Sequence, residues 1–204
     1  MSKAGDVFDN PVTHETGYVR VGTQETDGDV MVVDLRMPAS DGPLLPMHIH
    51  PGHTERFTVV EGEIAYLRGD AKGLVRAGGQ AEIPPGVAHG WWNTGTRDAR
   101  VVVEVRPAAR FEQLSRTVFG LVREGRTNQQ GFPNPLQAAV LAKEFGDVIV
   151  FTSPPQWVQR ILYGVLAPLG RLLGYRPTYP RHLDIPVQSV EVEPLPEGMP
   201  IAEG

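Results

Sequence analysis

GPLLPMHIHPGHTERFTVVEG, residues 42–62, is the stretch from which the fold can be read. It sets His48 and His50 two residues apart, with Glu55 five residues after the second. Residues i and i+2 of an extended strand point to the same face, so the two imidazoles share one side. A turn at Pro51-Gly52 can bring Glu55 round to the same place. Two neutral nitrogens and a carboxylate converging on one point form a donor set for a metal. A fourth donor, His89, lies in GGQAEIPPGVAHGWWN, residues 78–93, after the Pro84-Pro85-Gly86 turn.

The two stretches resemble the two motifs of the cupin superfamily. The first motif, G-x5-H-x-H-x4-E-x6-G, is met by Gly42, His48, His50, Glu55 and Gly62. The second, G-x5-P-x-G-x2-H-x3-N, is met by Gly78, Pro84, Gly86, His89 and Asn93. The gap between them is short, as in small bacterial cupins, and the resemblance covers only residues 42–93. It implies a mainly β protein, a double-stranded β-helix or jelly roll. It also implies one divalent metal ion held by His48, His50, Glu55 and His89.

Outward from the motifs, short strands follow one another with turn signals between them. Tyr18–Val21 and Val30–Met37 are expected strands, the latter with Met31, Val33, Leu35 and Met37 on one apolar face. Residues 1–16 are expected to be an irregular entry. Arg56–Val60, Glu63–Arg68, Leu74–Arg76, Ala81–Ile83, His89–Trp92 and Ala99–Arg106 are further strands, with Lys72-Gly73 read as part of a turn. Such spacing suits an antiparallel barrel or jelly roll.

After Pro107 the apolar period becomes helical, so a C-terminal α-helical extension is expected. Phe111, Leu114, Val118, Leu121 and Val122 mark one helix, with Gly125 at its end. Asn134-Pro135 starts a second helix, and Ser153-Pro154 repeats the signal for a third. In that third segment Trp157, Ile161, Val165, Leu169 and Leu172 form an apolar stripe, interrupted by Arg160 and Arg171, with a kink expected at Pro168. Val148–Phe151 fits either strand or helix. The division is therefore a barrel over 1–107, a helical extension over 108–183 packing on the barrel or a dimer partner, and a Pro/Glu-rich tail over 184–204, expected to be mobile or at best a strap.

The 204 residues carry a net charge of −5, which argues against a nucleic-acid partner. No cysteine is present, which excludes disulfides and thiolate ligands. MSKAGDVFDN, residues 1–10, lacks the apolar centre of a secretory signal, so a cytoplasmic location is expected. The C-terminal helices are too broken to span a membrane and carry few basic residues, so membrane attachment is not expected. A homodimer is expected by analogy with other jelly rolls.

A nitrogen-oxygen donor set suits Fe, Mn, Ni, Co, Cu or Zn. Open coordination positions would let the ion polarise a substrate oxygen or activate water or O₂. Strand parity turns Trp91 toward the cavity, and Phe57, Val59 and Tyr66 by the same argument, so these four are the expected substrate-binding residues. Glu55 is the expected catalytic base besides being a ligand. His53 is read as a solvated loop histidine rather than a spare ligand or acid/base group, and His14 and His182 as surface residues. Neither a phosphate-binding GK[ST] loop nor a G-x-S-x-G elbow is present. The expected function is a metal-dependent, dioxygenase-like oxidoreductase acting on a small aromatic or enolic molecule. The alternatives are a non-catalytic small-molecule or metal-binding module and a metal-dependent isomerase or lyase.

Overall fold

A computed structural model of the chain describes residues 1–183 and 190–199. Ten strands come first: β1 (Val7–Asn10), β2 (Glu15–Val21), β3 (Met31–Met37), β4 (His48–Ile49), β5 (Thr54–Glu61), β6 (Glu63–Arg68), β7 (Ala71–Arg76), β8 (Gln80–Ile83), β9 (Ala88–Asn93) and β10 (Ala99–Arg106). The extension then adds α1 (Ala109–Arg123), α2 (Pro135–Glu144), β11 (Val150–Phe151), α3 (Gln156–Leu172) and α4 (Pro180–Leu183). The strands form two antiparallel sheets, ordered β1-β2-β3-β10-β5-β8 and β11-β4-β9-β6-β7. From β3 to β10 the chain passes back and forth between the sheets, except at the β6–β7 hairpin, as in a jelly roll, and the extension supplies an edge strand to the second one.

The interior between the sheets follows from strand alternation. Phe57 and Val59 of β5, Ile64 of β6, Ile83 of β8, and Val101 and Val103 of β10 project into one apolar cluster. β10 is flanked by β3 and β5 and is buried along nearly its whole length. Its opposite face is covered as well: Val102 packs with Val30, Val32 and Val60, and Leu195 and Met199 lie against them. The described part of the C-terminal tail, residues 190–199, is therefore a strap over the sheet. Residues 184–189 and 200–204 lie outside the described residues.

This strap also covers the second face of β3. That face is not solvated: Asp34 is buried and hydrogen-bonded to Arg20 and Arg100, with Arg100 Nη2 at 2.9 Å. Arg100 also donates to the carbonyl of Glu193 in the strap, at 2.9 Å. A buried carboxylate is tolerable only when paired and hydrogen-bonded in this way. The first sixteen residues also differ from the expected irregular entry. They hold β1, paired to β2 from Val7↔Tyr18 to Asn10↔Glu15. Lys72 and Gly73 belong to β7, not to a turn. Gly73 faces Tyr66, whose ring lies so close that a Cβ on residue 73 would come within 2.3 Å of it.

In the extension, Asn134 caps α2 as its sequence suggests. Its side-chain oxygen accepts from the backbone N–H groups of Leu136 and Gln137, each at 3.1 Å, and Pro135 occupies the first turn. α3 begins after Pro155 without a side-chain cap, so Ser153 does not have the expected role. α1 and α2 enclose Leu121, Leu141, Phe145, Val148 and Tyr179. α3 packs on α2 through small residues. Ala167 meets Ala139 and Val140, and a Cβ at Gly170 would stand 2.9 Å from Val140. The stripe of Trp157, Ile161, Val165, Leu169 and Leu172 is therefore turned away from the rest of the chain and exposed.

Candidate metal centre

β4, β5 and β9 converge to bring the motif residues together. His48 is the register partner of His89, and His50 continues directly from β4. Glu55 enters from β5, on the same face as Phe57. The imidazole centroids are 4.3 Å apart for His48 and His89, 4.8 Å for His48 and His50, and 5.2 Å for His50 and His89. One donor atom from each of His48, His50, Glu55 and His89 lies within 4.8 Å of the others, and all four residues are buried. This cluster could bind a metal ion.

The backbone fixes how each ring is presented. The Nδ1 of His48 faces the carbonyl of Pro46 at 2.9 Å, that of His50 the carbonyl of Val148 at 2.6 Å, and that of His89 the carbonyl of Val87 at 3.0 Å. A carbonyl can only accept, so Nδ1 carries the proton in each ring and Nε2 keeps its lone pair when the imidazole is neutral. Carbonyl partners of this kind orient metal-binding histidines. The donor set thus fits a divalent transition metal in ligand type, tautomer and direction.

Electrostatics agree with that fit. Burial, and next the neighbouring His89, lowers the His48 pKa to about 4, so the ring is neutral near pH 7. Burial also lowers His50, against the pull of Glu55. Burial alone would raise Glu55, but the hydrogen bond from His89 and the surrounding imidazoles hold it below the ordinary carboxylate value. Burial would lower His89, yet its Nε2 donates to Glu55 at 3.0 Å and its pKa is raised. With both nitrogens facing acceptors, the protonated form of His89 is favoured beside the Glu55 carboxylate. A divalent ion would supply the same positive charge and displace that proton.

The extension closes one side of this cluster. Phe111 of α1 lies 5.7 Å from the His50 ring, and Phe151 of β11 lies 6.4 Å from the His48 ring. β11 pairs with β4 through Val150↔Ile49 and Phe151↔His48. His53 is buried, not solvated, and its Nδ1 donates to the carbonyl of Pro107. His182 is likewise buried, against the surface position expected for it: its Nε2 donates to Glu124 at 2.8 Å and its ring lies over Gly120. His14 is exposed.

The four expected substrate residues gather in the main apolar cluster. Phe57 and Val59 are fully buried in it, whereas Tyr66 and Trp91 are half-buried register partners, with the Trp91 ring 4.4 Å from Phe57. Sequence reasoning missed Phe111 and Phe151 as neighbours of the donors. Phe111 shares its helical period with core residues. The strand formed by Val150–Phe151 is too short to announce itself.

A family model described as "Cupin domain" matches residues 37–105. Among solved structures, an RmlC-like cupin from Shewanella frigidimarina is 18% identical, with a TM-score of 0.44 over 53% of this chain and 88% of the other. KdgF from Halomonas sp. is 20% identical, with a TM-score of 0.43 over 50% and 86%. A predicted oxalate decarboxylase from Thermotoga maritima is 15% identical, with a TM-score of 0.43 over 52% and 93%. No curated protein matches the sequence significantly.

Proposed function

We propose that the chain, whose residues 37–105 match the cupin domain model, is a metal-dependent oxidoreductase of the dioxygenase kind, acting on a small aromatic or enolic molecule. The observation that carries this reading is the set of aromatic rings beside a buried donor cluster: Phe111 against His50 and Phe151 against His48. His48, His50, Glu55 and His89 would hold one divalent transition metal, with Fe, Mn, Ni, Co, Cu and Zn all compatible with such donors. When bound, the ion supplies Lewis acidity and, where it is redox-active, a route for electrons.

The chain's own residues do the rest. Phe111 and Phe151 offer flat apolar surfaces to a planar ring, and Tyr66 and Trp91 face the same interior with Phe57 and Val59 behind them. Burial of the cluster excludes bulk water and strengthens every charge interaction inside it. Glu55 is held in its anionic form, and its free lone pairs can take a proton from a substrate hydroxyl. A carboxylate stabilised in this way is a weak base. It suits an acidic hydroxyl, as in phenols and enols, better than an aliphatic alcohol.

Oxygen uptake is the test. The purified protein is loaded separately with Fe(II), Mn(II), Ni(II), Co(II) and Cu(II) and given flavonols, catechols and β-diketones. Substrate-dependent O₂ consumption with at least one ion, lost on Glu55→Gln, is the expected result. Saturable binding without turnover under every ion would instead make the protein a binding module. Conversion without O₂ would make it an isomerase or lyase.

A further inference from the structure

The outer face of α3 is the largest feature that the metal centre does not explain. Trp157 and Val165 are each 66% exposed and Leu172 is 85% exposed, with Ile161, Leu162, Leu169 and Leu173 also open. At roughly 100° per residue, Trp157, Ile161, Val165, Pro168 and Leu172 fall within one narrow arc. Arg160 and Arg171, about three turns apart, share one border of that arc. The opposite side carries Gln159, Ala167 and Gly170, which are buried against the rest of the extension. The helix thus spends its small residues on intramolecular packing and leaves its large apolar residues unpartnered. A contiguous apolar face of this kind marks a surface for something else.

Charge narrows what that something is. Between Asp147 and Asp184 the chain has four arginines, at 160, 171, 176 and 181, and no aspartate or glutamate, although its net charge is −5. Arg171 is paired with Glu144 of α2 and Arg181 with Glu124, which leaves Arg160 as the cation bordering the stripe with no ion pair among the described residues. We propose that α3 lies in the headgroup region of an anionic lipid bilayer, with Trp157, Ile161, Val165 and Leu172 inserted and Arg160, at the border of the stripe, at the phosphate level. A Trp- and Leu-bearing apolar face with a basic border is the pattern of an interfacial helix. At 17 residues the helix is about 25 Å long, and among the described residues no helix is long and apolar enough to cross a membrane, so it lies on the surface. A second copy is the rival occupant, and the test below separates it from a lipid surface. The sequence alone pointed away from membranes because two arginines are few. The outward direction of the stripe, which spacing could not disclose, adds the apolar area that dominates interfacial binding.

The test is flotation of the full chain with vesicles of phosphatidylcholine mixed with phosphatidylglycerol, and with vesicles of phosphatidylcholine alone. The wild type is expected to float with the anionic vesicles, less so at high salt, and only weakly with the neutral ones. Val165→Glu is expected to lower partitioning at least about tenfold, the loss of one Val-sized apolar group from the interface. Trp157 emission should shift to the blue on binding, a shift absent in Trp157→Phe. Metal content of Val165→Glu, equal to that of the wild type, verifies that the barrel is intact and keeps this test separate from the metal centre. Failure to float, or equal flotation of Val165→Glu, overturns the proposal. So does a dimer in size-exclusion chromatography that Val165→Glu dissociates while vesicles are ignored.

Discussion

His89 Nε2 lies 3.0 Å from Glu55 Oε2, joining the second sequence motif to the first across the interior of the barrel. The raised His89 and the lowered Glu55 both follow from this contact, set against the burial of each group. Glu55→Gln retains the shape and removes the charge. We expect it to weaken binding of a divalent transition metal by at least about tenfold, since ligand and supporting groups in such sites carry effects of that size. Competition with a chromogenic chelator measures it.

Phe111 ties the extension to the site. It sits against His50 and His53 and packs on both the barrel core and the helical cluster. Phe111→Ala should destabilise the protein by about 2 kcal/mol, less than a fully enclosed phenylalanine because the residue is half-buried. Denaturant melts give the stability, and metal release to a chelator should be faster in the variant.

Asp34 and Arg100 form a buried pair beneath the C-terminal strap. Asp34→Ala removes the one buried carboxylate shared by Arg20 and Arg100 and leaves Arg100 with Glu193 of the strap, at 3.0 Å, so a loss of about 3 kcal/mol is expected. Asn134→Ala removes only a helix cap on a more open surface and should cost about 1 kcal/mol. Thermal and urea melts of the two variants compare them directly.

Glu124 gives the fold an acid-sensitive contact. Hydrogen bonds from Arg181 first, and from His182 after the opposing effect of partial burial, lower its pKa from 4.5 to about 2. A depressed folded-state value means that the carboxylate contributes stability above pH 4.5 and loses it as the pH falls through about 2. The stability difference between the wild type and Glu124→Gln should therefore be largest toward neutral pH and shrink across that window. Thermal midpoints measured from pH 7 to pH 2 test the sign.

Much of the barrel was legible because strand alternation and turn chemistry are local. Glu63–Arg68 and Ala99–Arg106 run between the expected residues, and Asn134-Pro135 starts its helix. The four donors were legible because their spacing is tied to one strand geometry. What escaped depends on partners distant in sequence. The carbonyl of Val148 meets His50 across 98 positions, and no periodicity predicts it. His182 contains no local signal of burial; Gly120, whose missing Cβ makes room for the ring, lies on another helix. The stripe of α3 was visible, but amphipathic spacing gives only the existence of a face. Its direction depends on Ala167 and Gly170 packing on α2.

Elemental analysis of protein purified without added metal tests the central claim most directly. The expected result is close to one equivalent of a transition metal per chain in the wild type. His48→Ala and His89→Ala should retain little of it while keeping the wild-type circular dichroism. A wild type free of transition metal that also fails to take one up on dialysis, or folded variants that hold it as well as the wild type, would contradict the account.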